Sequence, residues 1–413
     1  MTGMFRTARD LWACPSCRSA LTTSGGVLVC AGCGATYPMA GAVPVFVPGA
    51  MNQGVRHERD LVTYRGYIPW IPRVVLQSLL DSHVALELGC GHQALDDPNI
   101  VRTDVLLHPF ADAVADVHAL PLQDASVDFV FSGAVFEHLR DPFLAVREIR
   151  RVLKPGGYVY ADWNFVFAYH GYPHHYFNAS LQGIREAFGS FEALRSGVAP
   201  FQGPGYAISQ VLDTYKAGLP TDGPADAALR ETIERLLTFP LAEVDTRMTT
   251  AAVERTAAGV YFFGIKQDAP DDAIIPPAVL AAWRASADLQ ARYPTPLDIG
   301  RPDNLLRWAG VEGRAAYPAV ANALDALPRF AKHGEDRRAQ QGGREELRSW
   351  PVTLMSGPDL SDDARQVLEM FRRRARPLSV KVRDVLRHDP LALPRKAVRY
   401  LRWRWLHRRG QNL

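Results

Sequence analysis

The sequence predicts an α/β protein built on a mostly parallel sheet, and two observations support this prediction. Short apolar runs alternate with turns and helical segments between Val84 and Asp162, and the first run ends in the turn Gly89-Cys90-Gly91. Strands that alternate with crossovers form a parallel sheet, whose ligand lies at the carboxyl ends of the strands. A four-cysteine module precedes this part, and a helical extension follows it. The predicted domains are residues 1–50, 51–268 and 269–413.

The N-terminal module contains two CxxC pairs. Cys14 and Cys17 are followed by Cys30 and Cys33, with 12 residues between the two pairs. Two such hairpins bring four thiolates into a tetrahedron, which predicts a closed, structural Zn²⁺ site. In a reducing compartment this spacing favours zinc over two disulfides. We therefore expect the metal to fold the module and not to catalyse a reaction.

The residues around these cysteines carry a resemblance. Residues 10–48 resemble a small zinc-ribbon protein that activates methyltransferases acting on tRNA and release factor. The likeness includes Trp12 and Pro15 around the first pair, Tyr37-Pro38 after the second, and the extended segment 41–46. The resemblance implies a zinc ribbon at the start of a methyltransferase.

Five apolar runs predict the strands of the central sheet. The first, 84–88, precedes the glycine turn, and the second, 100–104, ends in Asp104. An acid at the end of the second strand is typical of ribose recognition. The other predicted elements are strands at 114–121, 126–132 and 158–162, a helix at 142–153 that Lys154–Gly157 ends, a helix at 181–188, and strands at 191–195 and 258–266.

Four motifs occur in order along this region. They are Glu87-Leu-Gly-Cys-Gly91, Ala119-Leu-Pro-Leu122, Phe136-Glu-His-Leu139 and Arg151-Val-Leu-Lys-Pro-Gly-Gly157. Over residues 58–268 they resemble class I S-adenosylmethionine-dependent methyltransferases, of the type that includes the ubiquinone and menaquinone C-methyltransferases. The resemblance implies a Rossmann-like sheet and S-adenosylmethionine as the cofactor.

The resemblance also implies roles for individual residues. The glycine turn would surround the methionine part of the cofactor, Asp104 would bind the ribose, and Asp116 would read the adenine amino group. Ser132 and His138 would lie near the sulfonium and the substrate. The implied cofactor-binding residues are Glu87, Gly89, Cys90, Gly91, Asp104, Asp116, Val117 and Ser132.

Two features depart from the family pattern. Gln93 stands where the family usually has a third glycine, and only 12 residues separate Gly91 from Asp104. A further 11 residues separate Asp104 from Asp116. A Rossmann unit usually has about 20 residues in the first interval, because a helix fits inside it. We therefore expect the first two crossovers to be shortened to turns.

The segment from His170 to Asn178 contains three histidines and three aromatic residues directly after the fifth strand. The run 172–188 resembles methyltransferases encoded among sugar and polysaccharide biosynthesis enzymes, which implies a hydroxyl-bearing acceptor. A hydroxyl needs a base to remove its proton, and histidine is the commonest base. The candidate catalytic residues are His138, His174 and His175.

Both catalytic and structural roles stay open for these histidines, because each one could also pack on an aromatic ring or cap a turn. A metal site formed by His170, His174 and His175 is disfavoured, because Pro173 opposes the helix that their spacing would need.

The C-terminal third is helical and ends in a basic tail. Helix-spaced apolar residues predict helices at 277–293 and 317–331. Residues 371–413 contain 14 Lys and Arg against two acidic groups, a net charge of +12, whereas the whole chain carries +3. Basic and aromatic residues interleave there, which suits either nucleic acid or the anionic inner face of a membrane.

Length and composition exclude several classes of protein. The chain has 413 residues, 47% of them hydrophobic and 22% charged, which excludes wholesale disorder. Five cysteines are too few for a disulfide-stapled mini-protein. No apolar run reaches the roughly 18 to 20 residues of a membrane span, and the N-terminus has no apolar signal core, so we expect a cytoplasmic location.

Three functions fit these observations. The first, which we expect, is O-methylation of a sugar, a lipid-linked glycan or a related small metabolite. The second is RNA methylation, favoured by the ribbon and the basic tail. Residues 132–135 lack an Asn-Pro-Pro-Tyr-like tetrapeptide, which weakens the case for amino-group methylation of a base. The third is a non-catalytic scaffold that has kept the fold, which the shortened crossovers permit.

Overall fold

The computed structural model describes residues 11–47, 83–91, 99–107, 111–171, 174–221, 223–239, 241–267 and 277–292, together with positions 69, 71, 72, 75, 76, 79, 274, 275 and 296. The chain forms two units, Met1–Leu360 and Ser361–Leu413, and every described residue lies in the first unit. Some sequence predictions lie outside the described residues, namely those on Gln93, Pro173, the helix at 317–331 and the basic tail at 371–413.

The N-terminal module is a four-stranded antiparallel sheet. Its strands, in spatial order, are β1 (Leu21–Ser24), β2 (Val27–Cys30), β3 (Thr36–Ala40) and β4 (Val43–Pro44). The β1–β2 turn consists of Gly25 and Gly26, which have φ angles of 56° and 81°. Glycine adopts this left-handed conformation without strain, so these two residues allow the tight hairpin.

The central domain contains a seven-stranded sheet. Its strands are β5 (Ala85–Leu88), β6 (Ile100–Asp104), β7 (Ala113–Val114), β8 (Val127–Ser132), β9 (Leu153–Asn164), β10 (Glu192–Gly197) and β11 (Gly259–Ile265). Their spatial order is β10-β11-β9-β8-β5-β6-β7. Strands β5 to β9 run parallel, whereas β11 pairs antiparallel with both β9 and β10. The predicted α/β architecture with a mostly parallel sheet is confirmed.

Burial explains why the apolar runs of the sequence form these strands. Every residue of β5, β6 and β8 is buried. Parallel strands are covered on both faces, so they read as nearly continuous apolar runs rather than alternating ones. Polar residues interrupt the apolar runs of these three strands, among them Glu87, Asp104 and Ser132. These three residues lie at or near the carboxyl ends of their strands.

Helices cover the sheet and extend from it. Helix α1 (Pro142–Val152) begins where the Asp141 carboxylate accepts a hydrogen bond from the backbone N–H of Leu144, at 2.8 Å. The remaining helices are α2 (Leu181–Ala187), α3 (Pro204–Gly218), α4 (Pro224–Leu237), α5 (Leu241–Asp245), α6 (Thr250–Thr256), α7 (Pro277–Ala285) and α8 (Ala287–Arg292). In the described part of the chain, no helix combines the length and apolar character needed to cross a membrane.

Three elements differ from the sequence prediction. The third strand is only two residues long, because the Asp116 carboxylate accepts a hydrogen bond from the His118 backbone and starts a 3-10 turn at Val117–Ala119. Lys154–Gly157 ends helix α1 but belongs to strand β9, which pairs with β8 from Leu153 onward. The predicted helix at 277–293 is two helices, α7 and α8.

The second crossover is shortened, as predicted. Its described residues, 105–107 and 111–112, contain bends but no helix between β6 and β7. The connection from β7 to β8 likewise has only the 3-10 turn at Val117–Ala119. This part of the domain is therefore built from short turns rather than from a full covering helix.

The ribbon, which is the four-stranded N-terminal module, packs directly on this part of the central domain, where short turns replace covering helices. Trp12 forms an isolated bridge with Leu122, and Val45 forms one with Val114. Arg18 donates hydrogen bonds to the carbonyl oxygen of Leu120 (3.1 Å) and to the Glu148 carboxylate (2.9 Å). The segment 114–122, which carries Asp116, is therefore held between the ribbon and helix α1.

We expect Glu148→Ala to destabilise the protein strongly. Glu148 is buried and accepts hydrogen bonds from Arg18, from Arg151 and from the backbone N–H of Leu120. Its removal leaves the N–H of Leu120 without this acceptor and takes one charged acceptor from each arginine, which should lower the free energy of unfolding by about 1 to 3 kcal/mol. Urea denaturation followed by circular dichroism measures this loss.

Arg147→Ala is the matched control for this measurement. Arg147 is exposed on the same helix, so its replacement should change the free energy of unfolding by less than about 0.5 kcal/mol. Equal effects of Glu148→Ala and Arg147→Ala would contradict the role of Glu148 in joining the ribbon to the domain.

Candidate active site

The carboxyl ends of the parallel strands β5, β6, β8 and β9 define the candidate site. The chain order of the sheet reverses at β5, which lies between β8 and β6. In open α/β sheets this switch point leaves a crevice at the carboxyl edge, where ligands bind. Several polar residues are buried at this edge, namely Glu87, Asp104, Ser132, Glu137 and Asp162.

The turn after β5 approaches its surroundings too closely for any side chain. Gly89 has a φ angle of 65°, and a Cβ atom there would lie 2.3 Å from Cγ2 of Val135. Only glycine fits this position, so the backbone itself faces the crevice. The N–H of Gly91 donates to the Asp104 carboxylate at 3.0 Å, and that carboxylate also accepts from the N–H of Leu106. These bonds join the turn to the end of β6.

Glu87 lies within β5, inside the strand predicted at 84–88. Its carboxylate is buried, and the nearest Arg102 nitrogen is 3.9 Å away. Burial raises the pKa of Glu87 to about 8, although Arg102 opposes this rise. Burial also raises the pKa of the neighbouring Cys90 thiol, which therefore stays protonated at neutral pH.

Asp116 is oriented by a histidine that the sequence analysis missed. Its carboxylate accepts from the backbone N–H of His118 (2.9 Å) and lies 2.6 Å from ring Nδ1 of His118. Ring Nε2 of His118 accepts from the N–H of Asp141, so Nδ1 carries the proton and donates to Asp116. Burial opposes ionisation, but the bonds from His118 lower the pKa of Asp116. The Asp-x-His spacing is the signal that could have revealed this pair.

The turn after β8 covers the site from the other side. The N–H of Ala134 donates to the Asp162 carboxylate at 2.8 Å, and Ala134 has a φ angle of 53°, a strained conformation for alanine. Burial raises the pKa of Asp162 to about 7. The Ser132 hydroxyl, at the end of β8, is buried and has no hydrogen-bond partner among the described residues.

Three histidine rings converge beside this turn. The ring centroid of His170 lies 5.0 Å from that of His138 and 4.7 Å from that of His175. Nδ1 of His138 lies 2.7 Å from the carbonyl oxygen of His174. A carbonyl only accepts hydrogen bonds, so Nδ1 carries the proton and Nε2 keeps its lone pair. Burial lowers the pKa of His138 to about 4, which keeps this ring neutral.

The other two candidate catalytic histidines are arranged differently. His175 uses both ring nitrogens, because Nδ1 accepts from the N–H of His170 and Nε2 contacts Oδ1 of Asn178 at 2.6 Å. His174 is exposed, and its ring packs on Tyr176. Of the three candidates, His138 combines a largely buried ring with an Nε2 atom that keeps its lone pair.

Glu137 is a second residue that the sequence analysis missed. It belongs to the same 3-10 turn as His138, and its side chain is 0% exposed. One oxygen, Oε1, accepts from the Asn164 amide at 2.5 Å. Burial raises the pKa of Glu137 to about 8. Only its place inside the Phe-Glu-His-Leu motif could have drawn attention to it.

The four cysteines of the ribbon come together as predicted. Their sulfur atoms all lie within 4.8 Å of one another, with Cys14–Cys33 at 3.7 Å and Cys17–Cys30 at 3.3 Å. Tetrahedral Zn–S bonds of about 2.3 Å place sulfur atoms about 3.8 Å apart, so the arrangement fits a tetrahedral ion. The Tyr37 hydroxyl lies 3.1 Å from the Cys14 sulfur and adds a further hydrogen bond.

Comparisons with known proteins agree with this architecture. A family of methyltransferase domains matches residues 97–161, which contain β6 to β8 and most of β9. A malonyl-[acyl-carrier protein] O-methyltransferase of Marinomonas sp. (strain MWYL1) is 45% identical, over 25% of this chain and 48% of that protein. An uncharacterized methyltransferase of Schizosaccharomyces pombe is 44% identical, over 11% of this chain and 16% of that protein. The chain spans about half the length or less of these curated relatives.

Solved structures of similar fold include two at low identity. The [4+2]-cyclase SpnF is 19% identical over 48% of this chain and 79% of its own, with a TM-score of 0.30. Phosphoethanolamine N-methyltransferase 2 of Haemonchus contortus, in complex with S-adenosyl-L-methionine, is 16% identical over 48% and 54%, with a TM-score of 0.29. Likeness at these scores has no bearing on the activity.

The strand order and the buried polar edge define an α/β domain of the class I methyltransferase fold. The matched family agrees with this fold, because residues 97–161 match a methyltransferase domain. The prediction of a class I methyltransferase domain is confirmed. The finer likenesses, to ubiquinone and menaquinone enzymes and to the activator ribbon, stay predictions.

We expect Asp162→Asn to change how stability depends on pH. The pKa of Asp162 is raised to about 7, so its favourable contribution is complete below pH 4 and is lost as the pH rises to about 7. Between pH 5 and pH 7, Asp162→Asn should therefore gain roughly 2 to 3 kcal/mol of unfolding free energy relative to the wild type. Urea denaturation at several pH values measures this gain. Asp213→Asn, at an exposed position on α3, is the control, and parallel curves for both variants would refute the burial argument.

Proposed function

We propose that the protein transfers the methyl group of S-adenosylmethionine to an oxygen atom of an acceptor. The observation that supports this most strongly is the glycine turn bonded to Asp104 at the switch point of a methyltransferase domain. The curated relative named an O-methyltransferase supports oxygen as the methylated atom. A small metabolite, a sugar or a lipid-linked glycan is the proposed acceptor class.

The carboxyl edge of the sheet offers a hydrogen-bonding group for each part of the cofactor. The backbone of the glycine turn would face the methionine part, because Gly89 and Gly91 carry no side chain of their own. Asp104 would accept the ribose hydroxyls, since each carboxylate oxygen has more than one lone pair. Asp116 would accept the adenine amino group, and His118 holds its carboxylate in place. Val117 and Ser132 would line the same crevice.

The acceptor would lie between the turn after β8 and the histidine rings. When bound, S-adenosylmethionine supplies a methyl carbon, which forms a bond to the acceptor oxygen as the carbon–sulfur bond breaks and its electron pair stays on sulfur. The chain's task is to orient the acceptor and to help its hydroxyl lose a proton. His138 is the residue that acts on this oxygen through Nε2, because Nδ1 is held by the carbonyl of His174.

Exposed aromatic residues next to these rings support an acceptor with an apolar face, such as a sugar ring. Tyr169 stacks on His175, with ring centroids 5.6 Å apart and an interplanar angle of 13°. Tyr176 and Phe177 are also exposed on the same segment. Aromatic side chains of this kind contribute apolar contact area with a polar handle at the edge. They form the surface that a sugar-sized acceptor would contact first.

The ribbon has a structural role in this proposal. Cys14, Cys17, Cys30 and Cys33 would hold one Zn²⁺ ion as four thiolates, with no position open for a substrate. The ion folds the ribbon, and the ribbon fixes the segment 114–122 that carries Asp116. Zinc would therefore favour cofactor binding without contacting the cofactor.

We expect Asp116→Ala to weaken binding of S-adenosylmethionine at least tenfold without unfolding the protein, because Asp116 is half-exposed and caps only a 3-10 turn. Gly89→Ala should abolish binding, because its Cβ would overlap Val135. Isothermal titration calorimetry with S-adenosylmethionine and S-adenosylhomocysteine measures both effects. Gly183→Ala, whose Cβ would make ordinary contacts on α2, is the control. Wild-type affinity in both Asp116→Ala and Gly89→Ala would overturn the placement of the cofactor.

We expect His138→Ala to remove methyl transfer while S-adenosylhomocysteine still binds, because this ring acts on the acceptor rather than on the cofactor. His174→Ala should keep activity within a few-fold, since its ring is exposed and only its carbonyl contacts His138. The assay follows labelled methyl groups into three acceptor pools: sugar nucleotides, lipid-linked saccharides and total RNA. Labelling of RNA alone would refute a small acceptor and favour RNA methylation.

A further inference from the structure

We infer that Glu137, His138 and His170 form a binding site for one divalent transition-metal ion, separate from the four cysteines of the ribbon. Each residue offers one ligand atom, and these atoms lie within 4.8 Å of one another. Oε1 of Glu137 is 3.9 Å from Nε2 of His138 and 3.8 Å from Nε2 of His170. Two imidazoles and one carboxylate are a common ligand set for such ions.

The hydrogen bonds of His138 and His170 engage Nδ1 of each ring and leave Nε2 available to bind a metal. Nδ1 of His138 faces the carbonyl oxygen of His174 at 2.7 Å, and Nδ1 of His170 faces that of Ala168 at 3.2 Å. Both Nδ1 atoms therefore carry the proton, and both Nε2 atoms present a lone pair to Glu137. A histidine that binds metal usually donates its other ring N–H to a carbonyl in this way.

The distances between Oε1 of Glu137 and the two Nε2 atoms suit a bound metal ion better than a direct hydrogen bond. Three acceptor atoms face one another, and separations of 3.8 and 3.9 Å are too long for a hydrogen bond between Glu137 and either imidazole. Ligands that lie about 2.0 to 2.2 Å from a metal are about 3.0 to 3.5 Å apart. A closure of about half an ångström around an ion would complete the site.

Glu137 supplies a second, independent observation. Its side chain is fully buried, and Oε2 has no hydrogen-bond partner among the described residues. Burying a carboxylate is costly unless it is paired or coordinates a metal. Within the described segments, its partners within 4.0 Å in ion pairs are the same two histidines, and Asn164 orients Oε1. A cation at this point would stabilise the ionised form of the Glu137 carboxylate.

The site would act on the acceptor, and this step rests on the proposed function. Three protein ligands leave open positions on the ion, and the side chain of His170 is 40% exposed, so the site is open toward solvent. An ion there can bind a hydroxyl or carboxylate oxygen of the acceptor and lower the pKa of the hydroxyl, whose proton passes to solvent. His138 would then act on the acceptor oxygen through the ion, because Nε2 has one lone pair and cannot bind the ion and contact the hydroxyl at once. The inferred acceptor class is a compound with a metal-binding oxygen at or beside the methylated position.

Manganese(II) is the probe for this site, because carboxylate ligands suit it whereas thiolates select softer ions, so the ribbon cysteines do not compete for it. The full, zinc-loaded chain is titrated with Mn²⁺ and followed by electron paramagnetic resonance. We expect one Mn²⁺ per chain in the wild type and at least a tenfold weaker affinity in Glu137→Gln and His170→Ala. Glu186→Gln, which removes an exposed carboxylate on α2, should bind like the wild type.

Two further measurements keep the outcomes distinct. Circular dichroism establishes that the variants fold, and His170→Ala changes a half-exposed side chain that the fold tolerates easily. Calorimetry with S-adenosylhomocysteine tests the proposed function separately, because the three ligands are proposed to act on the acceptor and not to bind the cofactor. Equal Mn²⁺ affinity in the wild type, Glu137→Gln and His170→Ala would overturn the metal site, even if the cofactor binds. Mn²⁺ binding that depends on these residues would support the site, even if the cofactor does not bind.

Discussion

Buried carboxyl groups at the carboxyl edge of the parallel sheet are the constraint on which the rest of this structure depends. Glu87, Asp104, Glu137 and Asp162 are all buried there. Burying a carboxylate is costly unless hydrogen bonds or charges compensate it. Backbone N–H groups supply part of this compensation, from Gly91 to Asp104 and from Ala134 to Asp162. The result is an edge rich in hydrogen-bond acceptors, which complements a cationic ligand that carries hydroxyl and amino groups.

The turns around this edge hold the acceptor carboxylates in place. Gly91 and Ala134 have positive φ angles, and their backbone N–H groups donate to the carboxylates of Asp104 and Asp162. On the far side, Asp116 is held by His118, and the segment that carries both is held by the ribbon. Because the crossovers here are short, the ribbon supplies packing that a full crossover helix would otherwise provide. The four-cysteine module at the N-terminus thus packs behind the proposed adenine end of the cofactor site.

The sequence was informative about elements and less so about the contacts between them. Apolar runs located β5, β6 and β8, because parallel strands buried on both faces are apolar along their whole length. The length of the third strand was overestimated. In the sequence, Asp116 cannot be distinguished from any other acid within an apolar run, whereas its side chain caps the 3-10 turn that follows the strand. The two CxxC pairs located the ribbon cysteines, since ligand spacing is a local property.

The roles of the histidines required the three-dimensional structure. His138 and His174 are 36 positions apart, and the bond from one to the carbonyl of the other decides which ring nitrogen is free. Sequence spacing grouped His174 with His175, whereas the fold groups His138 with His170 and Glu137. Asn164 joins this group from the end of β9. These residues come together because separate turns of the chain lie close in space, and periodic patterns in the sequence do not predict such contacts.

The central claim is that the ends of β5, β6 and β8 form one cofactor crevice supported by the ribbon. Amide hydrogen exchange with and without S-adenosylhomocysteine tests it most directly. Saturating ligand should slow exchange together at residues 89–91, 105–106, 117–119 and 133–135, and should leave helices α3 and α4 unchanged. Protection confined to α3 and α4, or the absence of protection at the strand ends despite saturation, would contradict the account.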